Sequence, residues 1–385
     1  MDARGSRARM YARRRRTVGM LLFVLVAIAA VLIGLNVRDR DTNASNSGPS
    51  SSAGANAGSP SPPDADTSAT PKTPHPIPGY LLIADRGNNR ALLVGSDKKI
   101  LWRYPRPGVR PSMPFYFDDD TFFNARHTKI ISNQEEQQTI QVISFPEGRV
   151  LWHYGHVGVK GSGPGYLNTP DDAYFLPNGD RVVADVYNCR VLFISGAGRI
   201  VKQYGTTGVC GHDPPRLVDS PNGDTPMPNG GLIITEIQGS WVDGVGPRGN
   251  LLWSFQAPVG YPSDAQWLGQ GKILLADYSL PGHVLIMNTR GRVLWRYGPS
   301  SGPGQLNHPS LALMLPNGLI AVNDDYRHRV VLISRSQHRI VWQYGHTGVP
   351  GTAPGYLNTP DGMDFLPFNV AMEMPAIRHV VLPSR

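Results

Sequence analysis

The sequence predicts an all-β fold, a six-bladed β-propeller whose last strand completes its first blade, and three observations support this prediction. First, residues 166–205 divide into four short segments rich in Val, Ile and aromatic residues, and tight turns such as Pro177-Asn178-Gly179 separate them. Second, this plan recurs along the chain with a period of about 40 to 50 residues, which is typical of propeller blades. Third, the first copy lacks one strand, and an extra strand follows the last copy.

The repeated unit can be followed by its turns and by its last strand. The tripeptide Pro-Asn-Gly recurs at 177–179, 228–230 and 316–318, where the first hairpin of the unit is expected. Each copy also ends in a strand with an aromatic residue, which we expect to pack between neighbouring blades. Counting these strands predicts six blades, marked by Trp102, Trp152, Tyr204, Trp253, Trp295 and Trp342.

The two ends of the repeat predict how the ring closes. Residues 80–104 hold only the last three strands of a blade, whereas residues 356–367 repeat the first strand before the pattern stops. A C-terminal strand that completes the N-terminal blade leaves no open sheet edge between the first and last blades. The sequence therefore places the propeller at 79–367, and it predicts no strand in the tail at 368–385.

The first 37 residues predict a membrane anchor. Residues 1–16 carry seven Arg and one Asp, and the 21 residues of 17–37 carry no charged side chain. As a transmembrane helix, this apolar segment would span about 31 Å, close to the thickness of a bilayer core. The positive-inside rule then predicts a single-pass protein of the cell membrane, with a cytoplasmic N-terminus and an extracytoplasmic propeller. A cleaved signal peptide is the alternative, which the small residues at 27–30 leave open.

Charge and composition restrict the partners. The basic tail accounts for six of the eight net positive charges, so the propeller is close to neutral and we expect no nucleic-acid binding. Residues 38–78 are poor in apolar residues and rich in Ser, Ala, Asn, Gly, Pro and Asp. Such a segment cannot bury enough apolar surface to fold, so we expect a disordered linker that holds the propeller away from the membrane.

Cysteine use predicts a disulfide at one place. Cys189 and Cys210 are the only two cysteines of the chain. Outside the cytoplasm they could oxidise and attach the loop that leaves the third blade, and closing a loop of about 20 residues stabilises a fold by roughly 3 kcal/mol. Two reduced thiols in unrelated places are the alternative.

Two short motifs resemble known propeller repeats. Residues 84–90 and 184–190 follow the pattern A-D-x-x-N-x-R and are similar to the NHL-type repeat. Strand endings such as 99–104 and 292–297 resemble those of pyrroloquinoline-quinone-type propellers. The resemblances cover about residues 80–367 and imply the fold. They leave the activity open, because propellers of these families include binding proteins, lyases, hydrolases and oxidoreductases.

The same signature predicts an ion pair in several blades. An Asp and an Arg five residues apart across a hairpin can pair and can bind turn amides. We expect such pairs at Asp85–Arg90, Asp185–Arg190 and Asp324–Arg329. The fourth blade departs from the signature at 235–238 and the second at 132–135. These departures argue against a function that needs six equal blades.

Carboxylates at the start of the first strands form the strongest candidate site. First strands line the central channel of a propeller, so acidic residues at equivalent positions should converge there. Alignment of the copies brings together Asp118, Asp172 and Asp264, with Asp171, Asp224 and Asp361 one position away. Such a ring would bind calcium or another hard cation, or a cationic or polyhydroxylated ligand. The alternative is that these acids accept hydrogen bonds from turn amides.

Histidines in the loops between blades predict a second site. His156 and His346 occupy equivalent positions in repeated loops, and His308 or His212 could approach them. Three histidines at the channel mouth could hold zinc with an open position for water, as the resemblance to propeller lyases would allow. Isolated surface or turn histidines are the alternative, because the spacing contains no metal-binding signature.

The function predicted from these features is that of a rigid platform. The channel mouth and the loops between blades would bind a protein, a small molecule or a glycan while the strands hold the frame. A metal-dependent lyase or hydrolase that uses His156 and His346 is the first alternative. A quinone-dependent oxidoreductase is the second, and it follows only from the resemblance of the strand endings.

Overall fold

The computed structural model describes residues 76–381. In this range the chain folds into six antiparallel four-stranded sheets, which are the six blades predicted from the repeat. The basic tail, the predicted membrane helix at 17–37 and nearly all of the predicted linker lie outside the described residues. Within 76–381, none of the helices has both the length and the apolar character that crossing a bilayer requires.

The first three blades follow the sequence repeat closely. The first blade contains β1 (Gly79–Asp85), β2 (Arg90–Gly95) and β3 (Ile100–Tyr104). The second blade contains β4 (Asp118–Phe123), β5 (Lys129–Gln134), β6 (Thr139–Ser144) and β7 (Val150–Gly155). The third blade contains β8 (Pro170–Phe175), β9 (Arg181–Asp185), β10 (Arg190–Ile194) and β11 (Ile200–Tyr204).

The other three blades have the same order of strands. The fourth blade contains β12 (Pro221–Pro226), β13 (Leu232–Glu236), β14 (Trp241–Val245) and β15 (Leu251–Gln256). The fifth blade contains β16 (Pro262–Gly269), β17 (Lys272–Asp277), β18 (His283–Asn288) and β19 (Val293–Tyr297). The sixth blade contains β20 (Ala312–Met314), β21 (Ile320–Asp324), β22 (Arg329–Ser334) and β23 (Arg339–Gly345).

A last strand, β24 (Met363–Pro367), closes the ring. It pairs antiparallel with β1, so that Leu81 lies opposite Phe365 and Ile83 lies opposite Met363. The first blade thereby gains its fourth strand, and the edge of β1 is covered by backbone hydrogen bonds. The prediction that a C-terminal strand completes the first blade is confirmed.

Burial explains the sequence pattern of the strands. Every residue of β2 and β22 is buried, because neighbouring blades cover both faces of the sheet. Along the outer strand β11 exposure alternates, and Val201 is 54% exposed whereas Tyr204 is buried. The hairpin between β8 and β9 turns at Gly179, whose φ of +88° suits a residue without a Cβ atom.

Tryptophans of the outer strands join neighbouring blades. The indole N–H of Trp102 donates to the carbonyl oxygen of Pro146, in the second blade, at 2.7 Å. The indole N–H of Trp342, in the sixth blade, donates to the carbonyl oxygen of Ser96, in the first blade, at 3.1 Å. These contacts confirm that such residues pack between blades, and the second one crosses the seam where the ring closes.

The tail after β24 folds back onto the first blade. It forms two short helices, α1 (Phe368–Met372) and α2 (Pro375–Val381). Ala371 and Ile377 are buried in the same apolar cluster as Trp102. The sequence predicted no strand here, and it also missed the helices, because both are shorter than the two to three turns that produce a clear apolar periodicity.

Candidate cation site in the channel

The first strands of the blades meet around the channel, and their acidic residues are buried there. Strand β4 contacts β8, β8 contacts β12, β12 contacts β16 and β24 contacts β4. The five residues of the predicted ring are at most 5% exposed, namely Asp118, Asp172, Asp224, Asp264 and Asp361. Their neighbour Asp171 is partly exposed. The structure therefore gathers these acids from four blades and the closing segment into one region.

Three further acidic residues extend the predicted ring. Asp119, Asp120 and Asp325 are also buried, and each lies close enough to Asp361 for the two charges to repel. The sequence showed the run at 118–120 but not which of its members face the channel. A β-bulge shifts the register between Asp118 and Thr121 and turns successive side chains away from strict alternation. Such a bulge is not visible in the sequence pattern.

The guanidinium of Arg86 lies among these carboxylates. Its Nη1 atom is 2.8 Å from Asp119 Oδ1 and 2.5 Å from Asp361 Oδ2, and its Nη2 atom pairs with Glu135. The side chain is only 13% exposed. Arg86 therefore neutralises part of the acidic charge and links the closing segment to the second blade.

Sequence analysis did not single out Arg86. With β24 counted as the first strand of its blade, β1 is the second strand, and Arg86 directly follows it. Glu135 and Asp325 directly follow β5 and β21, which are the second strands of their own blades. All three contribute charges to the channel group. Comparing this one position between the repeats is the signal that could have revealed them.

Several carboxylates of the ring lack a donor from the turns. The carboxylate oxygens of Asp118 and Asp224 accept no hydrogen bond from another residue of the described part of the chain, and Asp172 has only the carboxyl group of Asp120 as a partner. Asp264, in contrast, accepts a hydrogen bond from Gln266 Nε2 at 2.6 Å. The alternative that the acids bind turn amides therefore does not account for these three residues.

Burial and repulsion favour the protonated form of these carboxyl groups when no cation is bound. Burial, and next the charge of Asp120, raises the pKa of Asp172 well above its usual range. Burial, and next the charge of Glu135, raises the pKa of Asp171 to about 8. A divalent cation would replace these protons, because a nearby opposite charge favours the ionised carboxylate.

One trio of carboxylates has the spacing of a cation site. One oxygen each from Asp119, Asp120 and Asp171 lie within 4.8 Å of one another. Oxygen ligands suit Ca²⁺ or Mg²⁺ better than the softer transition metals. Since Asp120 and Asp171 belong to different blades, a cation held by this trio would also connect the second blade to the third.

The histidines of the predicted zinc site are placed separately. His156 and His346 each pack against a tyrosine of their own loop, with ring centroids 4.2 Å and 4.0 Å apart. His308 lies edge-on to two tyrosines, at 4.9 Å and 4.8 Å. Among residues 76–381, no group of three neighbouring metal-ligating side chains includes any of these histidines. The fourth candidate, His212, lies beside the fourth blade.

Asp–Arg pairs hold the loops around the channel, as predicted. The distances from Arg Nε to Asp Oδ2 are 2.6, 2.7 and 2.7 Å in the pairs Asp85–Arg90, Asp185–Arg190 and Asp324–Arg329. Each Asp also accepts a backbone N–H from the loop that enters its blade, as Asp185 does from Asn168 at 2.6 Å. Each Arg donates to carbonyl oxygens of that loop, as Arg190 does to Ser162 at 2.8 Å.

The two cysteines form a disulfide. Cys189 and Cys210 are joined, with their Cα atoms 5.2 Å apart. Cys189 is buried at the start of the third blade's second hairpin, whereas Cys210 is exposed in the loop that leads to the fourth blade. The bond therefore attaches that loop to the third blade.

No protein-family model matches this chain, and no curated protein matches it. Among solved structures, it is similar to a protein of unknown function from Bacteroides caccae, at 18% identity and a TM-score of 0.53, over 74% of this chain and 98% of the other. It is also similar to a chain of a nidogen/laminin complex, at 12% identity and a TM-score of 0.51, over 74% and 97% of the two chains. At such identity the likeness shows the fold alone.

A virginiamycin B lyase from Staphylococcus aureus is similar at 14% identity, over 60% of this chain and 71% of the lyase. The TM-score of 0.44 is too low to bear on function. The NHL-type and quinone-type motifs therefore stay resemblances.

Proposed function

We propose that this chain is a ligand-binding platform whose acidic channel holds a hard divalent cation, such as Ca²⁺. The observation that carries this proposal is an imbalance of charge. Eight buried Asp side chains belong to the channel group, in which the guanidinium of Arg86 contacts Asp119 and Asp361, and they are Asp118, Asp119, Asp120, Asp172, Asp224, Asp264, Asp325 and Asp361. Within this region, oxygens of Asp119, Asp120 and Asp171 lie within 4.8 Å of one another and would serve as ligands of the cation.

A cation in this position would serve ligand binding directly. Protein carboxylates rarely fill all six to eight positions around Ca²⁺, and the remaining positions accept water or ligand oxygens. Hydroxyls of a glycan, or a carboxylate of a small molecule or protein, would therefore bind at the channel mouth. The loops between blades would supply further contacts around the cation.

The proposed place of this platform is outside the cell membrane. The arginine-rich tail and the apolar segment at 17–37 support a signal anchor with a cytoplasmic N-terminus. The disulfide between Cys189 and Cys210 also favours an oxidising compartment, where such bonds persist. Free Ca²⁺ is plentiful outside cells, which suits a site that relies on the cation.

No observation on residues 76–381 specifically supports either of the two enzymatic alternatives, and both stay predictions. His156, His346 and His308 lie in separate contacts, so these three histidines do not form the zinc ligand set that the lyase or hydrolase alternative requires. For the quinone alternative, Trp102 and Trp342 of the outer strands are already engaged in contacts between blades.

Calcium titration of the purified full-length chain tests the proposal. After treatment with a chelator, calorimetry should show Ca²⁺ binding, and Ca²⁺ should raise the melting temperature because it binds only the folded state. Asp171→Asn should weaken Ca²⁺ binding by at least about tenfold, since it removes a charged oxygen ligand of the trio. Asp213→Asn is the matched control, because Asp213 is 53% exposed and pairs with Arg216 on the surface. A chain that binds neither Ca²⁺ nor Mg²⁺ would disprove the cation site.

A further inference from the structure

The fourth blade lacks the Asp–Arg pair at the end of its second strand. The pairing register places Glu236 opposite Trp241, where the third blade has Asp185 opposite Arg190. Glu236 still accepts the backbone N–H of the entering loop, from Asp219 at 3.0 Å. An indole cannot neutralise its carboxylate, however, so the position that holds a guanidinium in three other blades is left without a fixed positive charge here.

An imidazole from the preceding loop lies at this position instead. His212 Nδ1 is 3.2 Å from Glu236 Oε2. The imidazole stacks on the Trp241 ring, with centroids 3.8 Å apart and planes inclined by 7°. His212 follows Cys210 by two positions, so the disulfide to Cys189 restrains the loop that carries it. The imidazole of His212 is therefore held in place by its stacking on Trp241 and by the disulfide that restrains its loop.

A second carboxyl group faces the same imidazole. Asp243 lies opposite Ile234 in the pairing register. Four other blades have an apolar residue at this position, namely Leu92, Leu192, Leu285 and Val331. Asp243 is fully buried, and its Oδ2 atom is 3.8 Å from His212 Nδ1. Within the described part of the chain, neither oxygen of Asp243 has a hydrogen-bonding cation or backbone amide beside it, and its partners are the hydroxyl of Ser254 and the carboxyl group of Glu236.

The distances fit three ligands of one metal ion. A tetrahedral ion with ligand bonds of about 2.1 Å holds its ligand atoms about 3.4 Å apart. The distances from His212 Nδ1 to the two carboxylates, 3.2 Å and 3.8 Å, lie on either side of this value. The nearest ligand atoms of all three residues lie within 4.8 Å of one another.

The opposite edge of the imidazole has a partner suited to a metal ligand. His212 Nε2 is 3.3 Å from the hydroxyl oxygen of Ser254. If Nε2–H donates to this hydroxyl, the lone pair of Nδ1 points toward the two carboxylates. A hydrogen bond of this kind orients a metal-binding histidine and selects the tautomer that can bind the ion.

We propose that His212, Glu236 and Asp243 form a binding site for a divalent transition-metal ion of the zinc type. One imidazole and two carboxylates suit Zn²⁺, Co²⁺ or Ni²⁺, whereas Ca²⁺ takes oxygen ligands. Three protein ligands leave one position for water, and the His212 side chain is 22% exposed, so the ion can enter from solvent. The site shares no residue with the channel group and does not depend on the function proposed for it.

Zinc titration of the purified full-length chain tests this site. An excess of Ca²⁺ keeps the channel carboxylates occupied, and Zn²⁺ binding is followed by calorimetry and by tryptophan emission. We expect one zinc ion per chain at this site, and a change in emission because the ion binds the imidazole stacked on Trp241. Trp241→Phe should abolish most of the emission change and keep the binding heat.

Asp243→Leu is the decisive variant, because it installs the residue that other blades carry at this position and so preserves the packing. Removing a residue that only hydrogen-bonds to a metal ligand costs about 10- to 100-fold in metal affinity. Removing a ligand itself should therefore weaken Zn²⁺ binding at least about a hundredfold. Should this variant fail to fold, His212→Ala answers the same question from a partly exposed position.

His283→Ala is the matched control. His283 also faces a carboxylate, with Nδ1 2.8 Å from Asp277 Oδ2, but it has no second carboxyl group in its ion-pair contacts. The control should bind Zn²⁺ like the wild type. Absence of Zn²⁺ binding in the wild type, or equal binding in Asp243→Leu, would overturn the proposal and leave Glu236 and Asp243 as a buried pair of carboxyl groups that share a proton.

Discussion

Arg86 donates a hydrogen bond from Nη1 to Oδ2 of Asp361 at 2.5 Å, although 275 positions separate the two residues. Asp361 lies just before the closing strand β24, and Arg86 also pairs with Asp119 of the second blade. A single guanidinium therefore connects the two ends of the repeat to the neighbouring blade. It stabilises the closure of the ring while it offsets part of the negative charge in the channel.

Arg86→Gln should destabilise the protein strongly. The substitution leaves buried carboxylates without their positive partner, and breaking a buried ion pair in this way costs about 3 to 5 kcal/mol. Urea unfolding measures the loss. Lys99→Gln is the control, since Lys99 and its partner Asp97 are 80% and 46% exposed and such pairs contribute about 0 to 1 kcal/mol. Equal losses in the two variants would contradict a role for Arg86 at the seam.

Arg190→Met should also destabilise the protein by about 3 to 5 kcal/mol, because it leaves the fully buried Asp185 carboxylate unpaired. The double variant Asp185→Asn/Arg190→Met should lose less than the sum of the two single losses, since contacting residues are coupled. Denaturant unfolding of the four proteins provides the comparison. Additive losses would show that the pair does not act as a unit.

Replacing Cys189 and Cys210 with Ser should lower stability by about 3 kcal/mol, because the disulfide closes a loop that restricts the unfolded chain. The two cysteines are 21 positions apart. Unfolding in urea, with and without a reducing agent, measures the effect. The reducing agent should weaken the wild type and leave the double variant unchanged; an effect on both would point to another cause.

The stability should depend on pH through Asp364. Burial raises the pKa of this carboxyl group from 3.8 to about 6, although the backbone N–H groups of Phe123 and Phe365 donate to it. The folded state thus binds the proton more tightly than the unfolded state, so the contribution to stability is complete below the unfolded pKa and is lost as the pH rises through the folded pKa.

The difference in unfolding free energy between the wild type and Asp364→Asn measures this contribution. It should fall as the pH rises from about 4 to about 7, because in this range the wild type takes up a proton when it folds and the variant has no proton to bind at this position. The unfolding is followed in urea with a chelator present, so that cation binding does not add to the slope. A difference that rises over this range would show that the backbone donors outweigh burial.

Much of the fold was predictable from local patterns. The hairpin turn at 177–179 and its copies, together with segments of alternating or continuous apolar residues, predicted the strands, their number and the closure by β24. The Asp–Arg pairs were also predictable, since both partners lie in one hairpin. The five residues of the acidic ring were predicted because each occupies a repeated position near the start of a first strand.

Other features required the tertiary structure. The bulge between Asp118 and Thr121 decides which carboxylates of the acidic run face the channel, and only the pairing with β5 reveals it. His156 and His346 occupy equivalent loop positions, but each packs against a tyrosine of its own loop and the two are not neighbours. Equivalent loops belong to different blades and are therefore spread around the ring.

The sequence by itself determined the blades, their order and the closure of the ring, since hydrogen-bonded hairpins form between segments close along the chain and carry their signals in turn residues and periodicity. Only the tertiary structure decided which charges meet. Arg86 contacts Asp361, and His212 contacts Glu236 and Asp243, because residues from a loop, a strand end and a strand interior converge when the blades pack. Side-chain contacts of this kind depend on distances in space that have no counterpart in the spacing along the chain.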